Sequence, residues 1–96
     1  MLVEIQVLPR PSGTPDAPYA NVDRAIALAR EAGVRFEVGA MGTVLEGEPD
    51  QLWPLVRAMH ESCLAAGADH TMTMIKVAER SGADATIDEL TAAHRT

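Results

Sequence analysis

The sequence predicts an α+β fold of the ferredoxin-like, split βαβ type, and three observations carry that expectation. Apolar and polar residues alternate at a period of two in Leu2–Leu8, in 34–38 and in 71–78, which marks strands with one buried face. Two longer stretches, 16–32 and 50–66, repeat apolar residues at helical spacing. Between them, 34–49 (VRFEVGAMGTVLEGEP) reads as two strand runs around a Gly39-Ala40-Met41-Gly42 break, ended by Gly47-Glu48-Pro49. That stretch is a hairpin. The order β-α-β-β-α-β with a short C-terminal helix is the plan of a four-stranded antiparallel sheet with two helices on one face. At 96 residues the chain is expected to be a single domain, 1–96, with a modest core that a partner subunit would enlarge.

Each element follows from its residues. In the first strand Val3, Ile5 and Val7 turn toward the core and Glu4 and Gln6 away from it. Pro9-Arg10-Pro11-Ser12-Gly13-Thr14-Pro15 then makes a loop. Asp16 reads as an N-cap with Pro18 in the first turn, and the helix runs to Ala32 with Gly33 just past its end. Val22, Ile26 and Ala29 form its buried stripe, with Tyr19 and Ala25 beside them. In the hairpin, Val34, Phe36 and Val38 alternate with Arg35 and Glu37. On the returning arm either Thr43, Leu45 and Gly47 or Val44 and Glu46 face inward. Leu45 inward is preferred, because an unpaired carboxylate beneath a helix is costly. Asp50 reads as the cap of the second helix, with Pro54 absorbed in its first turn. Leu52, Leu55, Val56, Met59 and Cys63 form its buried face, and Gly67 stops it. The last strand puts Ile75 and Val77 on one face and Met72, Met74 and Lys76 on the other. Thr86 opens a short helix with a Thr-x-x-Glu capping box closed by Glu89.

Composition narrows the function. Fourteen acidic against eight basic residues give a formal charge of −6, which disfavours phosphate backbones and anionic membranes and suits cationic ligands. Tyr19, Phe36 and Trp53 are the only aromatics, too few for a stacking platform that binds single-stranded nucleic acid. The lone Cys63 cannot form an internal disulfide, and no basic n-region or long apolar run follows Met1, so a cytoplasmic location is expected.

The sheet face away from the helices carries Glu4, Gln6, Leu8, Arg35, Glu37, Val44, Glu46, Met72, Met74 and Lys76. Leu8, Val44 and two methionines there point to an interface, most simply with further copies of the chain. No catalytic pair, triad, cofactor fingerprint or metal set stands out. His60-Glu61 begins a zinc-helix motif, but Leu64 occupies the position of the second histidine. Cys63 sits on an apolar stripe and reads as packing. Ser12-Gly13-Thr14 supplies hydroxyls to a small ligand or is an ordinary turn. Glu37 and Glu46 are candidate neighbours on the hairpin, where Arg35, Lys76 or a cationic, amino-bearing ligand would relieve their repulsion.

Taken together, PSGTP after the first strand, MGTVLEGE, and RAMHESCLAAGADHTMTMIKVAER resemble the small thiamine-binding protein family over nearly the whole chain. The most specific part is Met41-Gly42-Thr43 with Glu46-Gly47 and, beyond them, His60-Glu61. The resemblance departs at Val38-Gly39-Ala40, where the family more often has a polar or proline-containing approach to the methionine. It implies a ferredoxin-like fold and dimers that assemble into tetramers through their sheets and edge strands. It also implies non-catalytic binding of thiamine or its hydroxymethylpyrimidine precursor at a subunit interface, with no further cofactor. By the resemblance Met41, Gly42, Thr43 and Glu46 belong to the site, and Ser12, Thr14 and Glu37 join them by expected position. Two other classes stand beside it. One is a small dimeric ferredoxin-like enzyme or isomerase with His60 or Glu46 as general base. The other is a ligand-free regulatory oligomerisation module.

Overall fold

The computed structural model describes residues 1–95. Its elements are β1 (Leu2–Arg10), α1 (Ala20–Ala32), β2 (Arg35–Val38), β3 (Thr43–Glu46), α2 (Pro49–Ala65), β4 (His70–Ala78) and α3 (Ile87–Thr91), followed by a 3₁₀ turn at Ala92–His94. The sheet order is β2-β3-β1-β4 with every neighbouring pair antiparallel, which is the ferredoxin-like topology. The inward period of β1 and β3 is as expected. Val3, Ile5 and Leu45 are buried and meet Ala25 and Ala29 of α1 and Leu52, Val56, Met59 and Cys63 of α2. All five apolar positions expected on the inner face of α2 lie there. No helix among the described residues is long and apolar enough to cross a membrane.

Strand phase explains the first departure from expectation. The Met1 ammonium donates to the Gly47 carbonyl (2.9 Å), and the Gly47 N–H donates to the Met1 carbonyl (3.2 Å). With a period of two, odd-numbered residues of β1 therefore turn their N–H and C=O toward β3, and even-numbered ones toward β4. The Arg10 carbonyl accordingly accepts from the Asp69 N–H on the β4 side. Pro9 was expected to end the strand, yet β1 continues through it to Arg10. Its missing N–H falls on the β3 side, where the ladder has already stopped, so no sheet bond is lost.

Both helix starts also shift. α1 begins at Ala20, with Tyr19 as N-cap, and not at Asp16. Residues 12–18 are held by bonds of their own: Thr14 and Ala17 exchange backbone bonds (3.0 and 3.1 Å), and the Ser12 Oγ donates to the Pro18 carbonyl (2.6 Å). The Asn21 Nδ2 and N–H then tie α1 back to Pro11 and Ser12. Pro18 also pushes Ala17 out of helical geometry. Tyr19, outside the helix proper, leaves the buried stripe and is 66% exposed. α2 starts earlier than expected, with Pro49 as its first residue, Glu48 at the N-cap and the Glu48 N–H donating to Gln51 Oε1 (3.1 Å). Asp50 is therefore inside the helix, and Pro54 falls beyond the first turn. Gly33 ends α1 with φ +74°, a left-handed conformation that glycine adopts without strain.

The face opposite α1 and α2 is not wholly open. α3 opens with the expected capping box, the Glu89 N–H donating to Thr86 Oγ1 (3.0 Å). It lies over the β2–β3 end of that face, where the Ile87 N–H donates to Glu46 Oε1 (2.7 Å). On β4, Ile75 and Val77 point to the helix side as expected but stay 45% and 42% exposed. They belong to an edge strand, and neither joins the buried cluster under the helices.

Candidate ligand-binding site

The hairpin bend, β1 and the delayed start of α1 together leave a hollow. β2 and β3 end their pairing at Val38↔Thr43, and the Gly39 N–H donates to the Gly42 carbonyl (2.8 Å) to close the bend. The bend presses on β1. A Cβ on Gly42 would lie 3.3 Å from the Ile5 carbonyl oxygen and 3.3 Å from Glu4 Cγ, tighter than an ordinary van der Waals contact, so a side chain there would have to push β1 or the bend aside. Beside it opens a cavity of about 240 Å³, the size of a small heteroaromatic ligand. Its walls are the bend from Val38 to Thr43, the Ile5–Val7 segment of β1, and Tyr19, Val22 and Ile26 of the α1 entrance, with Met59 of α2 behind them. Thr43 is buried in it, and Met41, 78% exposed, stands at its rim. The lining is mostly apolar, with Gln6, Tyr19, Thr43 and backbone groups contributing its polar part.

Met41, Gly42 and Thr43 of the sequence-derived site thus come together on one wall. Of the other four, Glu46, Ser12 and Thr14 lie outside the cavity lining, and Glu37 meets the bend from the opposite face of the sheet. Glu46 lies on the opposite face of the sheet, paired with Arg35 across the hairpin, and its carboxylate holds the N-terminus of α3. Glu37 faces the same side, opposite Val44 and not Glu46, and its carboxylate takes Arg95 Nη2 at 2.5 Å. Asp88 accepts from both Arg35 (2.9 Å) and Arg95 (3.0 Å). The hydrogen bond from the Arg35 guanidinium, followed by its charge, holds the Asp88 carboxyl below the usual carboxylate range. Ser12 and Thr14 spend their hydroxyls on the loop itself, on the Pro18 carbonyl and the Ala17 N–H. His60 is outside the cavity lining, its Nδ1 2.5 Å from Thr73 Oγ1. Cys63 is buried in the core, as packing requires. Among the described residues no group of three or more His, Cys, Asp or Glu could hold a metal ion.

Among the lining residues that the sequence reading missed are Tyr19, Val22 and Ile26 at the start of α1 and Gln6 and Val7 on β1. Tyr19 carried one usable signal: Pro18 immediately before it marks a helix boundary, and an aromatic at a boundary can leave the core. The rim of the bend also faces a second, broad hollow on the other side of the sheet, with Glu4, Glu37 and Val44 in one cross-strand row.

Comparison with known proteins bears on this geometry directly. A family model described as "Thiamine-binding protein" matches residues 3–95, a span that includes every wall of the cavity. The chain belongs to the thiamine-binding protein family. Among its relatives, a UPF0045 protein of Clostridium perfringens is 34% identical over 93 residues, covering 97% of this chain and 95% of that protein. The structure of a DUF77 domain from Bacillus cereus superposes with a TM-score of 0.88 at 38% identity, over 98% of this chain and 88% of that one. A Thermotoga maritima protein provisionally assigned to thiamine biosynthesis or salvage superposes with a TM-score of 0.82, over 98% of this chain and 97% of that one. At 24% identity that likeness bears on the fold alone. Within the thiamine-binding family fold, the Met41-Gly42-Thr43 motif of this chain forms a wall of a partly open, largely apolar cavity.

Proposed function

We propose that the protein binds thiamine, or the hydroxymethylpyrimidine part of thiamine, without catalysing its conversion. The observation that carries the reading is the cavity beside the bend, in a chain that belongs to the thiamine-binding family and whose Met41-Gly42-Thr43 lines that cavity. The ligand's ring system is flat and apolar on its faces and polar at its edges. A hollow with apolar walls and a few polar groups suits it. The cationic part of thiamine would extend past the bend into solvent, where the net negative charge of the chain favours it. The isomerase alternative requires a general base beside the substrate, and His60 and Glu46 are both elsewhere, on Thr73 and on the start of α3. That favours binding over catalysis.

The reading extends to assembly and location. Leu8, Met72 and Met74 occupy adjacent positions on the face opposite α1 and α2 and are 39%, 57% and 57% exposed. A homotetramer built by stacking that face and adding strands at the sheet edges would cover them and bring a neighbouring copy close to the bend. A single domain acting in the cytoplasm completes the proposal. Isothermal titration of the purified protein with thiamine, run beside sedimentation velocity, tests it. Saturable heat in an oligomeric sample is expected, and an oligomer that takes up neither thiamine nor the pyrimidine overturns it and favours the ligand-free module.

A further inference from the structure

The β1–β3 ladder stops short of the cavity. Val3↔Leu45 and Ile5↔Thr43 are paired, and the next residue of the same phase is Val7, which would face Met41. The chain has turned away there, because the bend closes on itself through Gly39 N–H and the Gly42 carbonyl. On its other edge β1 stays paired with β4 as far as Arg10↔His70. Val7 is odd-numbered, so its N–H and C=O both point to the vacated β3 side, and Val7 lines the cavity. Neither group has a hydrogen-bond partner among the described residues. A half-buried strand residue with both main-chain groups unmet, facing a hollow, is a site waiting for a donor and an acceptor.

We infer that Val7 reads the edge of a 4-aminopyrimidine, standing in for the strand residue that the bend withdraws. The Val7 N–H donates to the ring nitrogen, and the Val7 carbonyl accepts from the adjacent exocyclic amino group. One residue's N–H and C=O, lying side by side along a strand edge, match a neighbouring acceptor and donor on a six-membered ring. Tyr19, exposed at the cavity mouth, covers the ring's face. The inference rests on the proposed binding of thiamine or its pyrimidine and adds which group of the ligand is recognised and by what. It makes the pyrimidine the recognised half and leaves the charged ring and any phosphate outside.

Analogues test this on the unmodified protein. Oxythiamine replaces the 4-amino group by oxygen, so its edge presents an N–H donor beside a carbonyl acceptor, the reverse of the thiamine pattern. The site is expected to bind thiamine and 4-amino-5-hydroxymethyl-2-methylpyrimidine, and to bind oxythiamine at least roughly 100-fold more weakly, because both Val7 groups then face a like partner. In ¹⁵N-resolved spectra the Val7 amide should shift downfield on adding the aminopyrimidine. Val7→Pro removes that donor without touching the β1–β4 ladder and should weaken thiamine binding by about tenfold. Thiamine binding with oxythiamine equally tight, or with the Val7 amide unmoved, overturns the inference and leaves the proposed function standing. Failure of thiamine and the aminopyrimidine alike removes both.

Discussion

Replacing Tyr19 separates binding from folding. Its side chain stands at the N-cap of α1, 66% exposed, and lines the cavity without belonging to the buried cluster. Removing a largely exposed side chain that makes no side-chain cap bond should move folding stability by no more than about 0.5 kcal/mol. Removing the one aromatic face at the cavity mouth should cost the bound ring its stacking partner. Such a contact is worth about 0.5–1.5 kcal/mol between aromatic side chains, and ~1–3 kcal/mol when a base stacks on an aromatic residue. For a rim position left half in solvent, about 1–2 kcal/mol is the reasonable range, which is roughly a 5- to 30-fold increase in Kd for thiamine. Tyr19→Phe keeps the ring and should stay within about threefold of the parent protein. The assay is isothermal titration of thiamine into Tyr19→Ala and Tyr19→Phe, with urea denaturation of each protein as control. Unchanged affinity in Tyr19→Ala would show that the ring does not enter this cavity. A fall in stability as large as the fall in binding would mean that Tyr19 supports the fold instead.

Other substitutions sort core, bend, interface and C-terminal segment. Leu45→Ala deletes a fully buried side chain on a central strand and should destabilise the protein by about 3–4 kcal/mol in urea unfolding. Gly42→Ala places a methyl group 3.3 Å from the Ile5 carbonyl oxygen, so it should displace the bend and weaken thiamine binding in titration while thermal unfolding shifts only a few degrees. Met74→Asp puts a charge into the apolar patch of the open face and should lower the sedimentation coefficient if copies meet there. Asp88 titrates below the usual carboxylate range because Arg35 bonds its ionised form. A depressed folded-state pKa means the contact is at full strength above the unfolded value of about 4 and is lost as pH falls through the lower folded one. Amide exchange at Ile87–Leu90, corrected for intrinsic rates, should therefore quicken below about pH 4 while the Ile5 amide on the central strand stays protected.

How far the sequence could be read depended on whether a feature was local and periodic. The five inward residues of α2 and the outward-inward phase of β3 follow from repeats of 3.6 and 2 that burial enforces, and Leu45 settled correctly on the cost of a buried carboxylate. The capping box at Thr86 is a four-residue motif, and it forms. What could not be read depended on which residues meet from distant parts of the chain. Arg95 on Glu37 and Ile87 on Glu46 are contacts across 58 and 41 positions, so the acidic side chains of the hairpin looked free for a ligand when the chain's own C-terminal segment engages them. Tyr19 failed for a different reason. Helical spacing alone placed it on the stripe of α1, but the turn at Ser12–Pro18 delayed the helix until after it.

The cavity owes its existence to unequal strand lengths. β1 and β4 are each nine residues long, whereas β2 and β3 are four. A hairpin two residues longer on each arm would continue the ladder, pair Val7 with the residue now at the bend and fill the space with its own side chains. The short hairpin forgoes those two bonds, and Gly42 lets its bend lie against β1 just where pairing ends. Pro9 fits the same arrangement: a residue without an N–H occupies the next odd position, where a partner strand would have needed one. The sheet is thus kept from closing over the hollow by composition as well as length. It follows that the donor–acceptor edge of Val7 is more than a surface left over from folding. Two main-chain groups without a protein partner are left to solvent, and a ligand that satisfies both replaces that water on binding. A flat ring with an acceptor beside a donor does so with little loss of its own freedom, because it has few torsions to fix. Specificity for such a ring can therefore reside in backbone that no side-chain motif would disclose, with Met41-Gly42-Thr43 serving to hold the bend away from it.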